Sequence, residues 1–155
     1  MKFEHLIAIN DPGNPLLQPM TRAQLWRGLE YRVDNPLPFS PGLRASTLLE
    51  RSSTQAKRLL DFGAVKLIDQ VGLRLGEAVD FVIAPGPEHP GGSLCIRIEE
   101  PLPEALFLRF TYHTTLEQTH GEDAAYVDYV KAAYRDADIE CVRTLRELQA
   151  AGLLE

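Results

Sequence analysis

Residues 105–151 read ALFLRFTYHTTLEQTHGEDAAYVDYVKAAYRDADIECVRTLRELQAA, and the hydrophobic pattern changes within this stretch. Up to Leu116, apolar residues occupy every second position, which predicts a β-strand. From Glu122 to Ala151 there is no proline or glycine, and apolar residues recur every three or four positions, which predicts a long helix. At ~1.5 Å per residue that helix is about 45 Å long. The chain therefore ends with a strand and a helix long enough to span a sheet.

The predicted C-terminal helix has one apolar stripe and one charged face. Its charged residues, from Lys131 through Asp138 to Glu147, are assigned to the face that contacts solvent. Gly152 follows the helix and is expected to act as its C-cap. The stripe consists of Val127, Val130, Tyr134, Cys141, Leu145 and Leu148. We expect this stripe to pack on the sheet.

Residues 45–116 have a hydrophobic period of two, which predicts a series of strands. These strands lie near 45–52, 56–62, 64–75, 77–84, 92–99 and 105–116. The links between them are short, so consecutive strands are expected to pair as antiparallel hairpins. A further strand is predicted at residues 2–10, where the turn signal from Asn10 to Gly13 ends it.

Four of these strands have one apolar face and one largely polar face, so the sheet needs cover on a single side. The apolar face carries Val65, Leu67, Val71, Leu73 and Leu75, then Val79, Phe81 and Ile83, then Leu94, Ile96 and Ile98, then Leu106, Leu108, Phe110 and Tyr112. The long C-terminal helix is the expected cover. The fold class is therefore α+β.

The composition is that of one soluble globular domain covering residues 1–155. The formal net charge is −6 and the basic residues are scattered, which argues against binding to nucleic acid or to an anionic membrane surface. No apolar run approaches the ~20 residues of a membrane helix, and Asp11-Pro12 comes too early for a signal peptide. We therefore expect a cytoplasmic protein without membrane insertion. The pattern is compatible with a monomer or a homodimer.

Three stretches of the sequence carry a resemblance to a known family. They are TRAQLWRGLEYRVDNPLPFSPGL at 21–43, IRIEEPLPEALFLRFTY at 96–112 and YVDYVKAAYRDADIECVRTLREL at 126–148. With the strands between them, essentially the whole chain resembles the helix-grip superfamily, which includes START lipid-transfer domains, birch-pollen-type allergens and polyketide cyclases. The closer resemblance is to an AtaL-like branch from bacteria and fungi. It implies a curved seven-stranded antiparallel sheet around the C-terminal helix, with one or two short helices after the first strand. This branch has no generally established reaction, so the resemblance implies none for this chain.

The resemblance also implies a cavity between the curved sheet and the long helix, often closed by the segment after the first strand. In this chain that segment contains a helix that begins at a capping box formed by Thr21 and Gln24 and ends at Asn35-Pro36. Arg32, with the other charged residues of the helix, is assigned to the faces away from its apolar stripe. We expect this segment and its proline-rich continuation to cover the cavity.

Trp26, the only tryptophan, has two interpretations. It can form part of the cavity mouth, or it can be a core residue that anchors the helix to the sheet. The full set of residues expected to bind ligand is Trp26, Leu29, Phe39, Leu67, Asp69, Val71, Phe81, Ile96, Phe110, Tyr112, Val130 and Tyr134. The expected ligand is a small, largely apolar or aromatic molecule, and no cofactor or metal is expected.

Asp69 is the polar residue that stands out, because the alternation of side chains along a strand places it on the same face as Leu67, Val71 and Leu73. A carboxylate facing an apolar cavity has a raised pKa and can act as a general acid or base, or hold a ligand group. The alternatives are a bulge near Gly72 that turns it outward, or a satisfied bond to a neighbouring strand. On the first interpretation, Asp69→Asn changes ligand affinity with little loss of folding.

Tyr112 and Tyr134 are expected to point inward, where their hydroxyl groups can orient a ligand or pack with satisfied hydrogen bonds. Glu50 and Arg51 are consecutive residues of one strand, so their side chains point to opposite faces and only one of them faces inward. The pattern is compatible with either residue in that position.

Other catalytic signatures are absent from the sequence. There is no G-x-S-x-G motif, and a metal site built from His113, His120 and Glu122 matches no spacing with a known mechanism. His5 is expected to be a half-buried residue with a hydrogen-bond partner. Cys95 and Cys141 belong to no CxxC pair and are expected to be reduced.

The sequence is compatible with three functions. The first is a small-molecule binding protein. The second is a cyclase or dehydratase acting on a polyketide-like metabolite, with Asp69 and Tyr112 as its acid–base pair. The third is a chaperone-type interaction module, which predicts a filled core and an exposed apolar patch.

Overall fold

The computed structural model describes residues 1–87, 90–114 and 122–155, with side chains from residue 125 onward in the last range. Its elements are β1 (Lys2–Ala8), α1 (Arg22–Asp34), a short 3-10 helix (Leu37–Phe39), β2 (Ala45–Arg51), β3 (Gln55–Asp61), β4 (Lys66–Arg74), β5 (Ala78–Ile83), β6 (Gly92–Leu102), β7 (Ala105–Thr114) and α2 (Glu122–Ala150). The predicted end of the last strand, at 115–116, lies outside the described residues.

The seven strands form one antiparallel sheet in the order β1-β7-β6-β5-β4-β3-β2. Strands β2 to β7 pair with their neighbours in sequence, as expected from their short links. Strand β1 pairs with β7, so the first and last strands of the chain are neighbours in the sheet. The predicted α+β architecture, a seven-stranded antiparallel sheet with a long C-terminal helix, is confirmed.

One face of the sheet carries the core. Leu108 and Phe110 of β7, Ile96 of β6 and Val79 of β5 are completely buried there. The face assignments predicted by period-two alternation hold in all four strands, except that Leu75 follows the end of β4 and is 80% exposed. The buried face packs against α1 and α2.

Helix α1 begins as the sequence predicts. Thr21 and Gln24 form the capping box, in which the Gln24 backbone donates to Thr21 Oγ1 at 3.0 Å and the Thr21 backbone donates to Gln24 Oε1 at 2.9 Å. Leu25, Trp26 and Leu29 of this helix are buried in the core. The apolar stripe of α1 therefore faces the sheet and α2.

Helix α2 ends in a Schellman motif at Gly152, which has a φ of 75°. The Gly152 backbone N–H donates to the Gln149 carbonyl, and the Leu153 N–H donates to the Leu148 carbonyl, both at 3.0 Å. Leu154, beyond the motif, is buried in the core. The predicted C-cap is therefore present.

Strand β2 forms an edge of the sheet and has a register irregularity between Leu48 and Glu50. Because of this shift, Arg51 pairs with Ala56, whose side chain lies on the buried face, while Glu50 pairs with Lys57 on the opposite face. Arg51 forms an ion pair at 2.8 Å with Asp34 at the end of α1. Of the two candidates, Arg51 is therefore the one on the inner face.

In the described part of the chain, no helix combines the length and the apolar character needed to cross a membrane.

Close packing between α1 and α2 depends on Gly28. A Cβ atom at this position would lie 2.5 Å from Leu145 Cδ2. We expect Gly28→Val to lower the free energy of unfolding by about 1–3 kcal/mol, because the core around Leu145 is overpacked. Ala23→Val, on the exposed side of the same helix, is the control and costs only its helix propensity, below about 0.7 kcal/mol. Equal losses in urea denaturation would contradict this account of the contact.

Candidate functional site

A cavity of about 380 Å³ lies between the inner face of the sheet, the end of α1 and α2. Five of the residues predicted to bind ligand line it: Leu67, Asp69, Phe81, Tyr112 and Tyr134. The other predicted residues do not line it. Trp26, Leu29, Phe39, Val71, Ile96 and Phe110 are buried in the core, and Val130 is half-buried on α2.

The segment after α1 covers part of the cavity. Pro36 and Ser40 line it, so the proline-rich continuation of the helix contacts the cavity space. Trp26 lies outside the lining, and its buried indole N–H has no hydrogen-bond partner among the described residues. Its position is that of the core anchor, the second of the two interpretations of this residue.

The segment that leads into β6 forms another part of the wall, through Pro90 and Gly91 before the strand and Gly92 at its start. Gly91 has a φ of 79°, and a Cβ atom there would lie 2.6 Å from the Ile83 carbonyl oxygen. Only glycine fits this close approach without a shift of the backbone.

Asp69 faces inward, but it is not an isolated carboxylate. Arg58 lies directly opposite on β3 and donates from Nε to Oδ1 at 2.9 Å and from Nη2 to Oδ2 at 2.5 Å. Both side chains are almost completely buried. Arg58 also donates from Nη1 to the Val33 carbonyl at 3.1 Å, at the end of α1. The ion pair therefore compensates the charge of Asp69 and joins β3 and β4 to α1.

This pairing corrects the expectation that Asp69→Asn is well tolerated. An asparagine would leave the guanidinium of Arg58 buried without a counter-charge, which is costly in a protein interior. Period-two alternation predicted the correct face for Asp69. The pairing of Asp69 with Arg58 depends on the β3–β4 register, which alternation within one strand does not specify.

Asp138 was expected on the face of the C-terminal helix that contacts solvent. It lies instead on the buried face of α2 and is 1% exposed. Tyr112 donates to its Oδ1 at 2.5 Å, and Nε2 of His5 bonds to its Oδ2. The assignment of Asp138 to the solvated face was wrong because it relied on residue type. Its position fits the stripe, since 134, 138, 141 and 145 are separated by steps of four, three and four.

Burial controls the ionisation of this cluster. It raises the pKa of Asp138, and the hydrogen bonds from His5 and Tyr112 oppose that rise. Burial also raises the pKa of Tyr112 strongly, and the nearby charge of Asp138 adds to the effect. The Tyr112 hydroxyl therefore stays protonated and acts as a hydrogen-bond donor.

Tyr112 and Tyr134 stack across the boundary between β7 and α2. Their ring centroids are 4.1 Å apart and their planes differ by 8°. Phe3 of β1 stacks beyond them, at 6.3 Å from each ring. Burial raises the pKa of Tyr134 as well. The two tyrosines thus supply a flat aromatic wall with neutral hydroxyl groups.

Arg32 is a charged site residue that the sequence pattern missed. Its guanidinium carbon lies 5.5 Å from the ring centroids of both Phe39 and Phe81, and the side chain lines the cavity. Among the described residues, no carboxylate forms an ion pair with it. A helical wheel assigns Arg32 to a polar face, but its long side chain reaches the cavity from the end of α1.

The described residues contain no cluster of three or more side chains suited to holding a metal ion. His113 lies exposed on the outer face of the sheet. His120 lies outside the described residues, as does the side chain of Glu122.

Comparison with known proteins identifies the family. The model of a family described as acetylaranotin biosynthesis cluster protein L matches residues 7–152. The chain belongs to this AtaL family. It matches none of the curated proteins with which it was compared.

Solved structures share the architecture at low sequence identity. The ZhuI aromatase/cyclase from Streptomyces sp. R1128 has a TM-score of 0.62 at 16% identity, covering 97% of this chain and 95% of that one. Ara h 8.0201 has a TM-score of 0.58 at 14% identity, covering 95% and 98%. Human STARD10 has a TM-score of 0.62 at 9% identity, covering 96% and 64%. These likenesses confirm the helix-grip fold for this AtaL-family chain.

The Arg58–Asp69 pair yields a stability prediction. We expect Asp69→Asn to lower the free energy of unfolding by about 3–5 kcal/mol, because it leaves a buried charge unpaired. Asp80→Asn is the matched control, since it breaks a surface pair with Arg74 at 3.0 Å and should cost less than about 1 kcal/mol. Urea denaturation of both variants measures the difference. A loss at Asp69 no larger than at Asp80 would refute the buried-pair account.

The pKa of Asp138 is testable by carboxyl ¹³C NMR titration. We expect a midpoint above the ~3.9 of an unperturbed aspartate, and a further rise in Tyr112→Phe, because that variant loses a donor that favours the carboxylate. Tyr129→Phe, at an exposed position of α2, should leave the midpoint unchanged. A midpoint that falls in Tyr112→Phe would contradict the assigned hydrogen bond.

The raised pKa of Asp138 also determines the direction in which the stability of the fold changes with pH. The folded-state pKa of Asp138 exceeds its unfolded value, so folding favours the protonated form. The stabilising contribution of that proton is complete below the unfolded pKa and is lost as pH rises through the folded pKa.

Proposed function

We propose that this AtaL-family chain binds a small, largely apolar or aromatic molecule in the cavity between the sheet and the helices. The cavity itself carries the proposal, because its volume of about 380 Å³ lies within the usual range of small-molecule sites. Leu60, Leu67, Phe81 and Leu94 give it an apolar wall, and a few polar groups converge on it. This combination is typical of sites that bury most of a ligand's surface.

Apolar burial would supply most of the binding free energy, at about 25 cal/mol per Å² of surface removed from water. The stacked rings of Tyr112 and Tyr134 favour a flat, aromatic ligand, because offset stacking adds to simple burial. The Tyr134 hydroxyl group and the Arg32 guanidinium would orient the ligand.

The enzymatic alternative receives less support from the contacts. Its acid–base pair was Asp69 with Tyr112, but Asp69 is bonded to Arg58 on both oxygens and Tyr112 is bonded to Asp138. The raised pKa of Tyr112 makes it a poor proton donor near neutral pH. These contacts favour binding and orientation over acid–base chemistry at this pair. The aromatase/cyclase fold neighbour shares the architecture only.

The interaction-module alternative requires a filled core. A cavity of about 380 Å³ against the inner face of the sheet argues against it.

A cavity-filling variant tests the proposal. Leu94 lies between Phe81 and Tyr112 on the sheet and lines the cavity, so Leu94→Trp should occupy much of the space. We expect it to abolish binding of N-phenyl-naphthylamine, a neutral fluorescent aromatic, that the wild type binds. Leu102→Trp, at a position 68% exposed, is the control and should bind like the wild type. Circular dichroism establishes that both variants fold.

Native mass spectrometry of gently purified protein complements this test. Release of a defined aromatic or apolar molecule on denaturation would support the proposal. Unchanged probe binding in Leu94→Trp, or no probe binding by the wild type, would overturn it.

A further inference from the structure

We propose that the ligand of this cavity carries a carboxylate group and that Arg32 binds it. The inference rests on the proposed binding function and specifies the chemical class of the ligand as an aromatic or apolar monoanion.

Two arginines line the cavity, and their environments differ. Arg58 is fully engaged, with Asp69 across the sheet and the Val33 carbonyl at the end of α1. Arg32 has no ion pair with any carboxylate in the described ranges 1–87, 90–114 and 125–155. A guanidinium partly withdrawn from water into an apolar-lined space is costly unless a counter-charge is present. Among the described residues, the cavity therefore contains a cation without a carboxylate counter-ion in contact.

The position of Arg32 is fixed without loss of its charge. Its central carbon lies over the rings of Phe39 and Phe81, at 5.5 Å from each centroid. Cation–π contacts hold a guanidinium in place but leave its net charge unchanged. A planar guanidinium held in this way matches a carboxylate, which it can bind through two parallel hydrogen bonds.

Asp138 does not supply the missing counter-ion by contact. It senses the charge of Arg32, which lowers its pKa, but each of its oxygens bonds to another side chain, Tyr112 or His5. Arg58 and Asp69 carry opposite charges in direct contact and cancel each other. Arg32 is therefore the cation lining the cavity that no carboxylate of the described residues contacts.

A single uncompensated cation selects a single negative charge. A phosphate monoester carries nearly two charges and three acceptor oxygens, and it usually meets several cations or backbone donors. A carboxylate on an apolar or aromatic body matches one arginine beside the wall formed by Phe81, Leu94 and Tyr134. This match identifies the carboxylate as the group that Arg32 recognises.

The test uses two probes of nearly equal shape, naphthoate and its neutral amide, naphthamide. Isothermal titration calorimetry measures both affinities for wild type, Arg32→Gln and Arg143→Gln. We expect the wild type to bind naphthoate about 10- to 100-fold more tightly than naphthamide, the range expected for a charge-assisted hydrogen bond. Arg32→Gln should lose this preference and keep its affinity for naphthamide.

Arg143→Gln removes the same charge from the surface of α2, where the side chain is 64% exposed, and should keep the full preference. Arg32→Lys is the second variant, because it keeps the charge without the planar fork and should retain part of the preference. Thermal melts of each variant establish that it is folded.

The outcomes separate the two proposals. Equal binding of both probes by the wild type, or a preference that persists in Arg32→Gln, overturns the carboxylate inference and leaves cavity binding intact. If neither probe binds, nor N-phenyl-naphthylamine, the cavity-binding proposal fails and the inference fails with it. A preference lost equally in Arg143→Gln would assign the effect to overall charge and overturn the role of Arg32.

Discussion

The ion pair between Arg58 and Asp69 determines where the cavity lies, because it connects three elements through one guanidinium. Two of its N–H groups bond to Asp69 on β4, and a third bonds to the Val33 carbonyl at the end of α1. Buried ion pairs contribute little net stability compared with apolar packing, but losing one partner is costly. The pair therefore fixes the position of α1 more than it strengthens the fold, and it places Arg32 and Pro36 over the cavity.

A second buried polar contact acts on the other helix. Asp138 of α2 bonds to Tyr112 on β7 and to His5 on β1, so α2 is attached to two adjacent strands. Apolar packing is non-directional and would allow the helices to settle onto the sheet. Hydrogen bonds have preferred distances and angles, so these two contacts specify where each helix rests. The space left between them is the cavity, which a ligand can fill with contacts that the protein itself does not make.

Periodicity predicted the sheet and the long helix because each strand buries one face, and a slip of one residue would expose it. The same alternation correctly predicted that Asp69, Tyr112 and Phe81 face inward. It failed where the placement of a side chain depends on more than its position within one element. The inner placement of Arg51 follows from an irregularity in β2 that has no signal in the pattern, and the pairing of Arg58 with Asp69 requires the strand register. Asp138 was assigned by its charge, although its spacing indicated the buried face.

Fold neighbours at 9–16% identity share the sheet and helices, so the architecture alone does not determine what the cavity accepts. Selectivity has to come from the polar groups that this sequence places on the shared walls. In this chain Arg58 is neutralised by Asp69, and Asp138 is bonded to Tyr112 and His5, so both networks use their hydrogen-bonding capacity within the protein. A ligand would gain little by contacting them, because it would have to replace bonds that already exist. Arg32 differs, since no carboxylate of the described residues forms an ion pair with it, and the aromatic rings beside it leave its net charge unchanged. An electrostatic preference of the proposed site would therefore depend on one side chain at the end of α1.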